Sequence, residues 1–265
     1  MSIVPPKLSV VIPCYNPTTL VEATIASVRR QTHAAWEVVV DDGSDDPESR
    51  RILENIEQRK PPRVTVVHHE ENRGPAAARN TGFNHSRGHY LVALDSDDLL
   101  APTMIEVCLR EMAAHPHVGF AYFDYRVFGD RNYVEYPGEY NLYRLLNENF
   151  MAHCICVRRE AWEEVGGYDE WLRWSYEDWD FSLHLGEKGW YGHDSTQTLF
   201  AYRTYGRGHH YRGLERHESN WAHMRETRPA LLSLEGRLKV KREWAPSICF
   251  VVDTSAAPSF ENQTV

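Results

Sequence analysis

The chain has 265 residues, 42% of them hydrophobic and 25% charged, with a formal net charge of -9. That length supports one large domain or two intimate halves, and the acidic balance argues against sequence-independent nucleic-acid binding, which relies on Lys and Arg to neutralise phosphates. No apolar run approaches the ~20 residues needed to span a bilayer, and the opening MSIVPPKLS lacks the basic and long apolar regions of a secretory signal.

In chain order, unalternating runs rich in Val and Ile come first: LSVVIP (8–13), WEVVVD (36–41), RVTVVH (63–68) and YLVAL (90–94). Such runs suit strands covered on both faces. Between them lie helical segments. Val21, Ile25 and Val28 recur at helical spacing over 18–31, with Thr19 and Glu22 placed for a capping box. PAAARNTGFNHSRG opens on Pro75, suited to a first helical position, and ends at Gly88. Strand–helix alternation of this kind predicts an α/β fold with a mostly parallel, Rossmann-like central sheet and right-handed crossovers.

The second half is mixed. Residues 119–145 are aromatic-rich, HCICVRRE reads as a strand, REAWEEVGG as a short helix, and YEDWDFSLHL starts another near Glu177. A peripheral helix is expected within ETRPALLSLEGRLKVKRE, SICFVV (247–252) as a strand or a segment packed on the core, and disorder in the last dozen residues. The five cysteines are scattered and odd in number, which predicts reduced thiols in the cytoplasm. The His153–Cys156 segment is a minor candidate for metal.

The acids gather at the carboxyl ends of the expected strands, where open α/β sheets place their ligands. Asp41 and Asp42 close the second; Asp95, Asp97 and Asp98 close the fourth. One reading of Asp-Ser-Asp is a solvated turn. Another is a site for a hard cation, which relieves carboxylate repulsion and bridges to substrate phosphates.

Six stretches occur in a set order: VVIPCYN (10–16), WEVVVDDGSDD (36–46), NRGPAAARNTG (72–82), LDSDD (94–98), VRREAWEEVGGYDE (157–170) and YEDWD (176–180). Together they resemble the inverting family 2 glycosyltransferases of the GT-A fold, over roughly residues 8 to 210. The resemblance implies transfer of a sugar from a nucleotide-diphosphate donor, foremost a UDP-sugar with GDP- or dTDP-sugars as alternatives, to an acceptor hydroxyl, with Mn2+ or Mg2+ as cofactor. The acceptor is a glycan, a lipid-linked sugar or another hydroxyl compound. Peripheral contact with the inner face of the membrane is then compatible with a cytoplasmic protein. Residues 1–98 become the donor-binding half, 99–225 the acceptor-binding and catalytic half, and 226–265 a C-terminal extension.

Carried over motif by motif, Pro13, Tyr15 and Asp42 line the nucleobase pocket, with Asp41 the near alternative to Asp42. Arg79 helps hold the nucleotide or forms a surface ion pair. Asp95 lies near ribose and metal, and Asp97 ligates the metal directly. His209, in the basic YRTYGRGHHYRG segment, is a further metal candidate, and Asp98 is expected to cap a helix. Asp178 is the general base, flanked by Glu177 and Asp180. An acidic first helical turn, favourable to the helix dipole, is the plainer reading of those three. The rival functions are a GT-A-fold binding protein without activity and a D-x-D phosphotransferase.

Overall fold

The computed structural model describes residues 7–17, 19–59, 62–205 and 215–245. Four strands form the parallel half: β1 (Leu8–Cys14), β2 (Trp36–Asp41), β3 (Val64–His68) and β4 (Tyr90–Ala93). They are linked by α1 (Leu20–Arg29), α2 (Pro47–Gln58) and α3 (Pro75–His85). Then follow β5 (Leu99–Leu100), α4 (Met104–Ala114), β6 (Phe120–Gly129), β7 (Tyr133–Glu135), α5 (Leu142–Leu145), β8 (Cys156–Arg158), α6 (Arg159–Val165), α7 (Glu177–Glu187), β9 (Gly192–Thr204), α8 (His217–Thr227), α9 (Pro229–Leu232) and α10 (Leu234–Trp244).

Among the described residues the strands make one nine-stranded sheet in the order β3-β2-β1-β4-β8-β6-β9-β5, with β7 paired to β6. β3, β2, β1 and β4 are mutually parallel, whereas β8 runs antiparallel between β4 and β6. The chain moves outward from β1 to β3 and then returns to place β4 on the other side of β1. That reversal opens a crevice at the carboxyl ends of β1 and β4.

Alternate side chains of β1 enter opposite layers, as a strand requires. Val11 joins one core with α3, α5, α6 and α7, while Val10 and Ile12 join another with α1, α2 and α4. Gly82 lets α3 lie directly on β1, since a Cβ there would collide with the Val11 side chain. The segment beyond residue 226 folds onto the first of these cores, which receives Leu231, Leu232 and Val240.

Several local expectations are corrected. Thr19 begins α1 in helical geometry with no side-chain cap, so the capping box does not form. HCICVRRE is strand only over Cys156–Arg158, because Arg159 already starts α6. Cys154 and Cys156 share one buried core with Cys108, and these thiols and Cys14 are free. Residues 247–252 and the last dozen lie outside the described residues.

Glu37 is the polar intruder in β2. It is 5% exposed, and among the described residues its one ion pair is with the half-exposed Arg29 at 3.8 Å and Oε2 accepts no hydrogen bond. Burial pushes its carboxyl up to about 7, against the pull of Arg29 and Arg63. A carboxyl raised on folding contributes stability that is full below its unfolded pKa and is lost as pH rises through the folded one. Glu37→Gln should therefore gain on the wild type between pH 5 and 8, by on the order of 2 kcal/mol. Melting temperatures of both proteins across that range test it; a difference that does not change with pH refutes it.

Candidate active site

The crevice is built from three strand ends. Beyond β1, Pro13 is partly buried and Tyr15 is 47% exposed. Asn16, in left-handed geometry (φ 46°), accepts from the Asp45 and Asp46 N–H groups at 3.0 Å. Its carboxamide N–H donates to Asp45 Oδ1 at 2.7 Å, which ties the β1 end to the β2 loop beside Tyr15.

Asp41 accepts from the Ser44 N–H at 2.9 Å and faces His68 Nδ1 at 3.0 Å. Asp42 is buried. Its Oδ1 accepts from the Arg73 N–H at 2.9 Å and lies 2.6 Å from His69 Nδ1; its Oδ2 accepts from the Gly74 N–H at 2.7 Å. Gly74 has φ 92°, and a Cβ there would meet the Arg173 carbonyl oxygen at 2.6 Å. Asp42 thus holds the entry to α3 through donors that a neutral side chain would bind less strongly. A carboxylate has about four acceptor sites, so one remains for a further N–H.

The turn after β4 carries three acids of different character. Asp97 is part-buried, accepts from the Tyr205 hydroxyl at 2.7 Å, and its carbonyl oxygen accepts from Arg203 Nε at 2.8 Å. Burial and the Asp95 charge raise its carboxyl. Asp98 is fully buried and accepts from the Arg203 N–H at 2.7 Å; burial, then Asp95 and Asp97, push its carboxyl well up. The expected helix cap at Asp98 is corrected: Leu99 and Leu100 pair with β9 as β5, and α4 starts only at Met104.

His153 completes this corner. Its Nε2 is 3.4 Å from Asp95 Oδ2 and 3.6 Å from Asp98 Oδ2. Among the described residues neither His153 Nε2 nor Asp98 Oδ2, both buried, has a hydrogen-bond partner, and the ligand atoms of Asp95, Asp98 and His153 lie within 4.8 Å of one another. Two carboxylates and an imidazole, with orphaned polar atoms turned toward one another, fit a divalent cation. Asp97, expected as the direct ligand, is outside this set and engaged with Tyr205. His209 lies outside the described residues.

Arg79 forms a buried bridge in place of a surface ion pair. Its guanidinium donates from Nη2 to Asp95 Oδ1 at 2.9 Å and from Nη1 to Glu177 Oε1 at 2.7 Å. The planar fork suits two carboxylates at once. Burial raises the Glu177 carboxyl to about 7 in spite of Arg79, whose charge Glu177 shares with Asp95 and whose pull Asp178 opposes.

Glu177 opens α7 after Tyr176, a non-glycine residue at φ 71°. Backbone strain of this kind is sustained only by its surroundings, here a 2.8 Å contact between the Tyr176 hydroxyl and His217 Nδ1. Asp178 Oδ1 accepts from the Trp179 N–H at 2.8 Å and Oδ2 from the Asn149 carboxamide at 3.2 Å. Unlike its flanking acids it stays partly open. Asp180 is fully buried and paired with Arg228 at 2.7 Å. Burial first, and then Asp98, Asp95, Asp97 and Asp178, raise the Tyr202 hydroxyl to about 12.

Sequence reasoning flagged His153 for metal only with Cys154 and Cys156, not with Asp95 and Asp98, and read Arg203 only as part of a basic segment. It missed His69, Asn149 and Tyr205, since each gains its role from a contact between distant segments.

A fold of this kind is shared with a solved mannosyltransferase. The mannosyltransferase PcManGT from Pyrobaculum calidifontis, in complex with GDP-Man and Mn2+, superposes with a TM-score of 0.63 at 20% identity, covering 94% of this chain and 77% of that one. The fold class is therefore GT-A. Residues 9–181 match the model of glycosyl transferase family 2, and the chain belongs to that family. A Haemophilus influenzae protein described as an uncharacterized glycosyltransferase is 33% identical over 186 residues, 67% of this chain and 61% of that protein. The Escherichia coli UDP-Glc:alpha-D-GlcNAc-diphosphoundecaprenol beta-1,3-glucosyltransferase WfgD is 31% identical over 128 residues, 48% of this chain and 49% of that enzyme. The chain spans less than two thirds of either relative. Among the described residues no helix is long and apolar enough to cross a membrane.

Proposed function

We infer that the protein transfers a sugar, with inversion, from a nucleotide-diphosphate donor to an acceptor hydroxyl. The donor is foremost a UDP-sugar. The observation that carries this reading is Arg79, which joins Asp95 of the donor-side turn to Glu177, next to Asp178, in one buried network. Family membership gives the chemistry, and the network ties the turn after β4 to the start of α7.

In this mechanism Asp178 takes the proton from the acceptor hydroxyl. The oxygen forms its bond to the anomeric carbon as the bond from that carbon to the diphosphate oxygen breaks on the opposite face. The electron pair leaves with the diphosphate, and no covalent sugar–enzyme intermediate forms. Asn149 orients the Asp178 carboxylate, and the hydrogen bonds from Asn149 and Trp179 limit its rotation. Asp95, Asp98 and His153 would hold a divalent cation, Mn2+ or Mg2+, with Asp97 joining if Tyr205 releases it. Bound there, the cation supplies positive charge for the leaving diphosphate. Pro13 and Tyr15 flank the base, and the remaining acceptor site of Asp42 or Asp41 receives a ring N–H.

Isothermal titration of UDP with and without Mn2+ tests the donor side. Asp95→Asn is expected to remove the Mn2+-dependent part of the affinity, by tenfold or more, with the fold intact. Asp97→Asn should do the same only if that carboxylate leaves Tyr205 on binding. Unchanged UDP affinity in Asp95→Asn sinks the donor-site assignment, and a product that retains the donor's anomeric configuration sinks the one-step displacement.

A further inference from the structure

A second cluster of ligating side chains lies at the opposite end of β9. Glu111 and His115 stand four apart in and just beyond the last turn of α4, a spacing that puts both on one face. His193, the second residue of β9, meets them across the α4–sheet interface. The ligand atoms of the three lie within 4.8 Å of one another.

We propose that Glu111, His115 and His193 form a second metal site, selective for Zn2+ or a similar borderline transition ion, which fastens α4 to the start of β9. His193 Nε2 is 3.3 Å from Glu111 Oε2, and His115 Nδ1 is 3.9 Å from the same oxygen. Ligands about 2.0–2.1 Å from a tetrahedral zinc stand about 3.3 Å apart, so one edge already matches and the other needs only a small rotation. The imidazoles lie face to face, with centroids 3.9 Å apart and planes 31° from parallel. Two imidazolium rings would repel there, whereas two neutral rings sharing a cation would not.

The surroundings are preorganised. The His115 ring also contacts the Glu111 carbonyl oxygen at 3.0 Å through Nδ1; that contact fixes the ring beside Glu111, and the same nitrogen would exchange it for the cation. Arg158 donates to the carbonyl oxygens of Met112, His115 and Val118, which locks the segment carrying His115 from beneath. Arg110 donates to Glu111 Oε1 at 2.8 Å and holds the carboxyl below the usual range, leaving Oε2 charged and turned to the histidines. Three protein ligands with a fourth position open to water is a common zinc arrangement. His193 and Arg203 of β9 pair with Ala121 and Phe128 of β6, which at ~3.3 Å per strand residue puts this cluster roughly 20 Å or more from Arg203, so the ion here takes no part in sugar transfer.

The test uses full-length protein stripped with a chelator and titrated with Zn2+ alone against a chromophoric competitor. Wild type should bind an equivalent that His193→Gln weakens at least tenfold and Asp95→Asn leaves in place. Zn2+ should raise the melting temperature of Asp95→Asn but not of Asp95→Asn combined with His193→Gln. Mg2+, which prefers oxygen ligands, should not compete. If the double variant does not fold, Asp95→Asn combined with His115→Gln takes its place. Absence of Zn2+ binding in Asp95→Asn overturns the proposal, as does binding that survives in both double variants.

Discussion

Asp178→Asn should lower turnover by roughly 100-fold or more, the usual scale for removing a positioned base, while donor affinity barely changes. Asparagine keeps the size of the side chain and its contact with Asn149, but it takes up no proton at neutral pH. The proposed donor contacts lie on β1, β2 and the turn after β4, not on α7, so binding of UDP with Mn2+ should be nearly that of the wild type. A lost kcat with preserved binding is the mark of an interaction made in the transition state. Asp180→Asn makes the necessary contrast. Asp180 is buried against Arg228 and points into the protein, so its replacement should act on stability first. Steady-state kinetics with binding by calorimetry decide the matter: near-normal transfer in Asp178→Asn rejects the assignment.

Arg79→Met should be the most damaging change to the fold of the site. It leaves Glu177 and Asp95 facing a space with no positive charge. Breaking a buried pair from one side typically costs about 3–5 kcal/mol, which for a chain of this size is a fall in melting temperature of roughly 10 °C. Glu177 escapes part of that cost by taking up a proton. The loss should accordingly be smaller at pH 6 than at pH 8, since removing Arg79 raises further a carboxyl that already stands near 7. Arg79→Lys should recover little, because one ammonium does not match two carboxylates held by a planar fork. Adding Glu177→Gln to Arg79→Met should restore part of the stability, the expected coupling for residues in direct contact. Thermal unfolding of the three variants at both pH values measures this; a penalty under about 1 kcal/mol that is flat with pH shows that the bridge contributes little.

The two assignments differ in how visible they are in the primary structure. The parallel half is legible because buried strands are written as runs such as Val38–Val40 and Leu91–Leu94, and local sequence suffices to mark their acidic ends. The motif at 176–180 is legible for the same reason, as is the family to which it belongs. Roles that depend on partners are not. Nothing in AAARNTG says that Arg79 faces inward, since that follows from α3 lying tightly on β1 beside α7. Nothing in HCIC says that His153 meets Asp95 and Asp98 across the β4–β8 pairing. Asp98 was indistinguishable from a helix cap until β9, from the far end of the chain, supplied the Arg203 N–H. Short motifs report their own secondary structure well, and report which acids are clamped and which are open hardly at all.

The placement of β9 also bears on the order in which the molecule is made. β5 is two residues long and pairs with β9, and the bond from the Arg203 N–H to Asp98 closes a separation of 105 residues. Contacts between segments so far apart carry a larger loop-closure entropy and slow folding relative to local ones. On a ribosome, β1 to β4 emerge and can associate well before Gly192 is synthesised. The acidic turn therefore spends the intervening synthesis without the strand that neutralises and orders it. If the acidic turn holds the donor as proposed, binding competence is gained late, when β9 inserts, although the residues that supply its charge are translated 105 residues ahead of Arg203.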